Sequence, residues 1–277
     1  MHSTKHPENP RSFSLLRVSP FAVLAGAFLP GLICATSGHA QVSITVPNNS
    51  FESQLATPQT HTTNSIDNWQ QTAEPNGFVS PTGFQWNQES GIFENIAGTS
   101  HIDNADGNQS AYLFNYPGVG IFQDNNSTDW QNLPPTHAFN AKFQVGQSYT
   151  LTLGVIGGGG NMQPGDELDL ILYYRDAGNN MVTVADTPII FSTAAFPTTT
   201  HLFDYQVTVP SVQSTDAWAG ENIGIELVSV SGFGFGYWDV DNARLTQTPA
   251  PEPATAGLLM LGLAGLCTRR SRKSVQA

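Results

Sequence analysis

From Gln41 to Ala250 apolar and polar residues alternate, and the alternation is cut every few positions by Gly, Pro, Asn, Asp, Ser or Thr. A period of two marks a strand with one buried face. Val42, Ile44 and Val46 open the series and Pro47 stops it. Further strands are predicted over 91–95, 110–115, 119–124, 138–145, 149–156, 166–175, 182–185, 188–191, 202–209, 222–230 and 237–246. Tyr149, Leu151, Leu153 and Val155 share one face; Leu168, Leu170 and Leu172 share another, with Glu167 and Asp169 opposite. No stretch of this region carries a convincing helical period. The pattern predicts an all-β domain, two antiparallel sheets packed face to face as a β-sandwich or jelly roll. Long loops over 53–66, 74–90 and 125–137 are where such a domain carries function. The run Gly157 to Gly160 lacks the Lys-Ser/Thr and the following helix of a phosphate loop, and is read as a flexible loop.

The two ends follow other rules. Lys5, Arg11 and Arg17 precede an apolar stretch over 21–32, and Gly38-His39-Ala40 offers small residues before a cut. This is the pattern of a secretory signal peptide removed after Ala40. Cys34 follows Ile33, where a lipoprotein signal needs a small residue. At the other end, Pro251-Glu252-Pro253 leads into an uncharged apolar run from Ala254 to Cys267, then Arg269, Arg270, Arg272 and Lys273. That run is short against the roughly 20 residues that span a bilayer, and the basic cluster holds the chain end on the cytoplasmic side. The ordered triple resembles the PEP-CTERM sorting signal of Gram-negative bacteria. The resemblance implies transient inner-membrane anchoring, cutting by an exosortase-type protease, and delivery to the outer cell surface or extracellular matrix. An ordinary C-terminal anchor is the alternative. The expected organisation is therefore a signal peptide over 1–40, a domain over 41–250, and a sorting tail with a short apolar helix over 251–277.

Both cysteines, Cys34 and Cys267, lie in these ends, so the exported domain holds no disulfide although its compartment permits one. A metal is the obvious alternative means of pinning its long loops. Residues 41–250 contain 20 acids but only Lys142, Arg175 and Arg244 as bases, a formal balance of −17. Such a domain is repelled by nucleic acid and by anionic membrane surfaces, which leaves the tail as the only membrane contact, and it attracts divalent cations. Much of this charge serves solubility.

If Ala243 and Leu245 face the core, strand alternation sends Asp241 the same way. An unpaired carboxylate there costs several kcal/mol, and a bound cation relieves it. Calcium suits a site of carboxylates, amides and carbonyls; His61, His101, His137 and His201 show no zinc-ligand spacing.

A series of short motifs then points to a family. Asn48-Asn49-Ser50-Phe51-Glu52 and Trp69 are followed by Asp106-Gly107-Asn108-Gln109-Ser110-Ala111-Tyr112-Leu113, Gly120-Ile121-Phe122-Gln123, Gly146-Gln147-Ser148-Tyr149-Thr150-Leu151 and Asp241-Asn242-Ala243-Arg244-Leu245. In this order they resemble the galactose-binding-like jelly rolls of carbohydrate-binding modules. The resemblance implies one structural calcium held by Glu52 and Asp241 with backbone carbonyls, with Asp106 and Asn108 as further candidates for the same site. Asn242-Ala243 departs mildly from the family's usual acidic-or-Asn residue followed by Val.

Trp86, Trp130 and Trp218, in or beside loops, are candidate platforms for sugar rings; each can equally pack beneath its own loop. The expectation is a non-catalytic protein that binds or organises extracellular polysaccharide. The alternative is a secreted enzyme on the same fold. Glycoside hydrolysis needs facing carboxylates, and Glu89 with Glu94, Asp124 with Asp129, or Glu167 with Asp169 are pairs that chance also supplies. No Ser sits in a nucleophile elbow. The start of the domain is also similar to the calcium-dependent indole-alkaloid cyclases of cyanobacteria. A compact apolar pocket holding an Asp with a raised pKa favours an enzyme; a flat polar loop surface favours binding.

Overall fold

A computed structural model describes residues 40–56, 60–80, 83–127, 139–232 and 235–249. The expected signal peptide, the Pro251-Glu252-Pro253 motif and Trp130 lie outside these residues. No helix among the described residues is long and apolar enough to cross a membrane.

The described chain is β throughout, with one 3-10 turn at Trp86–Gln88. The strands are β1 (Val42–Ile44), β2 (Thr62–Thr63), β3 (Gln70–Gln71), β4 (Ser90–Glu94), β5 (Gln109–Phe114), β6 (Gly120–Gln123), β7 (Gln147–Gly160), β8 (Glu167–Arg175), β9 (Met181–Ile190), β10 (Phe203–Val209), β11 (Gly224–Ser231) and β12 (Gly236–Pro249). They form two sheets, ordered β10-β7-β12-β5-β4-β2 with β1 also on β12, and β3-β6-β11-β8-β9. All the pairings are antiparallel. The predicted sandwich is therefore the observed one.

The core lies between the sheets and follows the alternation. Ala111, Leu113, Leu151, Leu153, Val155, Trp238 and Val240 project from the first sheet, and Ile121, Leu168, Leu170, Leu172, Ile225 and Leu227 from the second. Each fully buried Leu or Ile contributes roughly 1.5–3 kcal/mol against exposure.

Three expectations need correction. The described part of 138–145 forms no strand, only the isolated bridge Lys142–Asn222. The stretches 182–185 and 188–191 are one strand, β9, because Pro188 sits where it still pairs with Asp169. The glycine run is not a loop; it is the end of β7. A Cβ on Gly159 would collide with the Tyr237 ring, and one on Gly157 would lie 2.8 Å from Trp238. The missing side chains let the aromatics of β12 lie against β7.

Strand β12 organises the first sheet. It pairs with β7 along its whole length, and its other edge takes β5 first and β1 afterwards. Its register against β7 slips between Asp241 and Arg244, where Asn242 adopts φ 55°. This bulge adds a residue and reverses the faces. Val240, Ala243 and Leu245 all reach the core, whereas Asp241 turns to the outer face. The parity argument from Ala243 and Leu245 is overturned for that reason.

Candidate functional site

The outer face of the first sheet carries the chemistry. Cross-strand pairing sets its side chains in rows. Phe114 stands opposite Tyr237, and Tyr112 opposite both Gly91 and Asp239. On strands where the intervening residues fill the core, these positions face outward together.

The segment from Asn95 to Asn108 folds over this face. Asn95 bonds Ile102 twice through its side chain, and Asn104 bonds Leu202 twice. Ile102 packs with Ile156, Leu202 and Phe93 in a small cluster outside the main core. One flank of the segment walls a cavity; the other meets two carboxylates.

The cavity measures about 910 Å³ and is lined by Phe84, Phe93, Tyr112, Phe114, Tyr237 and Asp239, with amides and small residues around them. Phe84 reaches down from the 83–89 segment onto Phe114, 5.5 Å between rings. Tyr112 and Tyr237 stand edge-on to Phe114 at 6.0 and 6.1 Å. Gly91 is a requirement here, because a Cβ would lie 2.7 Å from the Tyr112 hydroxyl. Asp239 is largely buried among these rings. Its carboxyl makes no hydrogen bond or ion pair among the described residues, and burial pushes it up to about 8. Burial first, and then the nearby Glu89 charge, push the Tyr112 phenol up to about 12. Both groups are protonated at neutral pH.

Two residues along β12, fully buried Asp241 accepts the backbone N–H of Asp106 at 2.7 Å and that of Asn242 at 2.7 Å. Glu52 accepts the N–H groups of Asn108 and Gln109 at 2.8 and 2.7 Å, both on Oε1. Burial raises Asp241 to about 7; the two N–H donors pull it down, and the charges of Asp106 and Glu52 push it up again. Asn48, Phe51, Asn68 and Asn242 hold left-handed backbone nearby, a conformation costly for a residue as large as Phe.

The structure therefore brings Glu52, Asp106, Asn108 and Asp241 together. Asp106 and Asn108 participate through backbone N–H groups, and both residues are exposed. Among the described residues no three acidic, His or Cys side chains are grouped as a metal cage. What is present is a fully buried carboxylate, Asp241, under the repulsion of two others, with no positive side chain against it. Among the described residues its hydrogen-bond partners are the backbone N–H groups of Asp106 and Asn242 and, at 3.5 Å, the Ser110 hydroxyl.

Of the candidate tryptophans, Trp86 and Trp218 lie among the described residues, and both pack inward. Trp86 is 8 % exposed, donates its indole N–H to the Thr72 carbonyl at 2.9 Å, and packs edge-on against Phe78. It has no ring face to offer a sugar. Trp218 is partly buried against the core, with its indole nitrogen shielded from solvent. Of the carboxylate pairs, Glu89 is fully buried whereas Glu94 lies at the cavity edge, bonded to His61 at 2.6 Å. Asp169 is raised to about 6 by burial and by its neighbours Glu167 and Asp186, on the other sheet. Sequence reading passed over Asp239. Its signal was there: Tyr112 and Phe114 alternate with Ala111 and Leu113, so β5 is apolar on both faces, and a second apolar face needs an occupant.

A jelly roll with an aromatic cavity on its outer face is the class of protein defined so far. The family profile described as HpiC1 cyclase matches residues 42–246, and the chain belongs to this HpiC1-like family. The PEP-CTERM protein-sorting motif matches residues 249–273, so the chain is exported with a membrane-anchored tail before processing. Among solved structures, a cyclase from Fischerella sp. TAU is 21% identical, with 76% of this chain and 100% of that chain covered and a TM-score of 0.57. The Stig cyclase Fisc from Fischerella sp. TAU, in complex with (3Z)-3-(1-methyl-2-pyrrolidinylidene)-3H-indole, is also 21% identical, covered 76% and 100%, with a TM-score of 0.55. A looser likeness joins the CBM22-1 xylan-binding domain of Paenibacillus barcinonensis Xyn10C, 13% identical, covered 73% and 94%, with a TM-score of 0.37. No curated protein sequence matches the chain.

Proposed function

We propose that the exported domain is an acid catalyst for a small, largely apolar molecule, with Asp239 as the proton donor. The observation that carries this reading is a carboxyl without a hydrogen-bond or ion-pair partner among the described residues, at the wall of an aromatic cavity of about 910 Å³. A neutral carboxylic acid at pH 7 transfers its proton to a carbon or nitrogen of the substrate, and the carboxylate left behind takes a proton back. The rings of Phe84, Phe114 and Tyr237 exclude water and face the positive charge that protonation creates. Tyr112, protonated, holds a hydrogen bond to a substrate atom without competing for the proton. The Fischerella relative crystallised with an indole compound supports trying indole-bearing alkenes first.

Glu52 and Asp241 would hold calcium, which would fix the 106–109 flank of the covering segment, and so one wall of the site. The sorting motif supports processing by an exosortase-type protease and release to the cell surface or matrix.

The test is turnover of a panel of indole-bearing alkenes by the secreted protein and by Asp239→Asn, read by chromatography and mass spectrometry. The expected product is an isomer of unchanged mass, with the variant about 10²–10⁴-fold slower. Equal rates, or no turnover of any member by the wild type, would refute the reading. A second reading, polysaccharide binding, draws on the same cavity, where aromatic rings sit beside the amides of Asn64, Gln88 and Asn95. Calcium-dependent retention on a polysaccharide column, lost in EDTA, would favour it.

A further inference from the structure

A second cleft, of about 340 Å³, lies where β10, β7 and β12 run side by side, and it shares no lining residue with the aromatic cavity. Register places Asp204 of β10 opposite Gly154 of β7, and Gly154 opposite Asp241 of β12. Along β7, Thr150, Thr152 and Ile156 carry side chains on the outer face, whereas Gly154 carries none. A Cβ there would come within 3.2 Å of Leu202 and of the Asp241 carbonyl, so the glycine leaves a gap that becomes the floor of the cleft. The bulge at Asn242 stands beside the gap, and a bulge re-aims a side chain. The Asn242 amide lines the cleft and makes no side-chain hydrogen bond among the described residues. Arg244 pairs with Asp204 at the rim, both exposed, so a guanidinium and a carboxylate stand side by side with no net charge. Phe203 and His201 meet edge-on, 5.6 Å between rings. The Asn104 amide closes one end, bonded twice to Leu202.

We propose that this cleft is a saccharide site, taking one neutral sugar ring. A hydroxyl both donates and accepts, so two neighbouring sugar hydroxyls satisfy a guanidinium N–H of Arg244 and a carboxylate oxygen of Asp204 together. The Asn242 amide, which also does both, serves a third. The Phe203 ring offers an apolar surface to the C–H face of the sugar. Because Arg244 and Asp204 already neutralise each other, a charged ligand gains nothing here over a neutral one. The volume is at the small end for ligand sites, which fits a single ring and not a long stretch of glycan. The site uses none of the residues of the aromatic cavity. It therefore stands or falls apart from acid catalysis, and it puts sugar recognition in a different place from the polysaccharide reading above.

The experiment uses the full secreted protein and saturation-transfer NMR with the methyl glycosides of glucose, galactose, mannose and xylose, and with methyl glucuronide as the charged probe. At least one neutral glycoside is expected to bind with a millimolar dissociation constant, and the glucuronide no more tightly than the glucoside. Arg244→Ala and Asp204→Ala, at exposed positions whose ion pair contributes little to the fold, should each weaken binding about tenfold, the loss of one hydrogen bond to a charged group. Asn242→Gly keeps the left-handed backbone and removes the amide; it should weaken binding severalfold. Melting curves check that each variant is folded. Asp239→Asn and Phe84→Leu, in the aromatic cavity, should leave binding unchanged. No glycoside bound, or binding that Arg244→Ala and Asp204→Ala both leave intact, overturns the inference. Binding lost in Asp239→Asn or Phe84→Leu instead puts the sugar in the aromatic cavity and also overturns it, as does a marked preference for the glucuronide. Turnover of the alkene panel is scored separately, since the Arg244 and Asp204 variants do not touch the aromatic cavity.

Discussion

Replacing Asp239 with Asn should make the protein more stable and less active, and the gain in stability should depend on pH. In the folded protein burial holds this carboxyl at about 8; unfolded, it titrates near 3.9. Below about pH 4 it is protonated in both states and contributes no pH dependence. Between about 4 and 8 the unfolded chain releases a proton that the folded chain keeps, so wild-type stability falls as pH rises. The slope is about 1.36 kcal/mol per pH unit. Three units, from pH 4 to pH 7, amount to about 4 kcal/mol as a ceiling. Asn has nearly the same shape and no titration, so the difference between Asp239→Asn and wild type should grow by up to that amount. For a domain of this size that is roughly 8–16 °C in melting temperature. Asp241, raised to about 7, tilts both proteins in the same direction and drops out of the difference. The assay is thermal melting of both proteins at half-unit steps from pH 4 to pH 9 in EDTA. A flat difference across the range would refute the reasoning, because it would mean that the carboxyl is solvated or paired in the folded state.

Calcium at 100 times its dissociation constant should add about 2.7 kcal/mol to the wild type if it binds only the folded state, and nothing to Glu52→Ala; melting scans in calcium and EDTA decide. Trp86→Ala should cost roughly 3–5 kcal/mol in urea unfolding, because this ring is buried and bonded to Thr72. A loss of polysaccharide retention with unchanged unfolding would contradict the structure. Gly91→Ala should push against the Thr63 carbonyl and displace the Tyr112 hydroxyl, weakening any cavity ligand severalfold, as a ligand-observed NMR titration would read.

Most strands were legible because their alternation survives intact: the core leucines of β8 and the stripe from Tyr149 to Val155 were placed from spacing alone. The convergence of Glu52 and Asp241 was accessible only through family resemblance, since nothing in local spacing joins positions at opposite ends of the domain. What spacing concealed was parity. A bulge at Asn242 reverses the faces of β12, and a bulge is set by backbone geometry that one Asn does not announce. The glycine run misled for a related reason. Glycine disfavours a strand by propensity, yet β7 needs the empty space for Tyr237 and Trp238. The cavity went unread because its residues are scattered over β4, β5, β7 and β12 and become neighbours only through pairing.

Strand β12 has one more consequence. The sorting motif begins at residue 249, where this strand ends. While the tail is held in the membrane, any tension on the domain enters through Pro249 and runs along the axis of β12. That strand is bonded to β7 from Gln147 to Gly160 and to β1 beside Ile44. A pull along it loads many ladder bonds at once, in shear, and does not peel them one by one. The cavity residues Tyr237 and Asp239 sit at the far end of the same strand, behind that clamp. A pull through the tail is therefore spent on the half of β12 nearest to it, and the cavity end remains under little load.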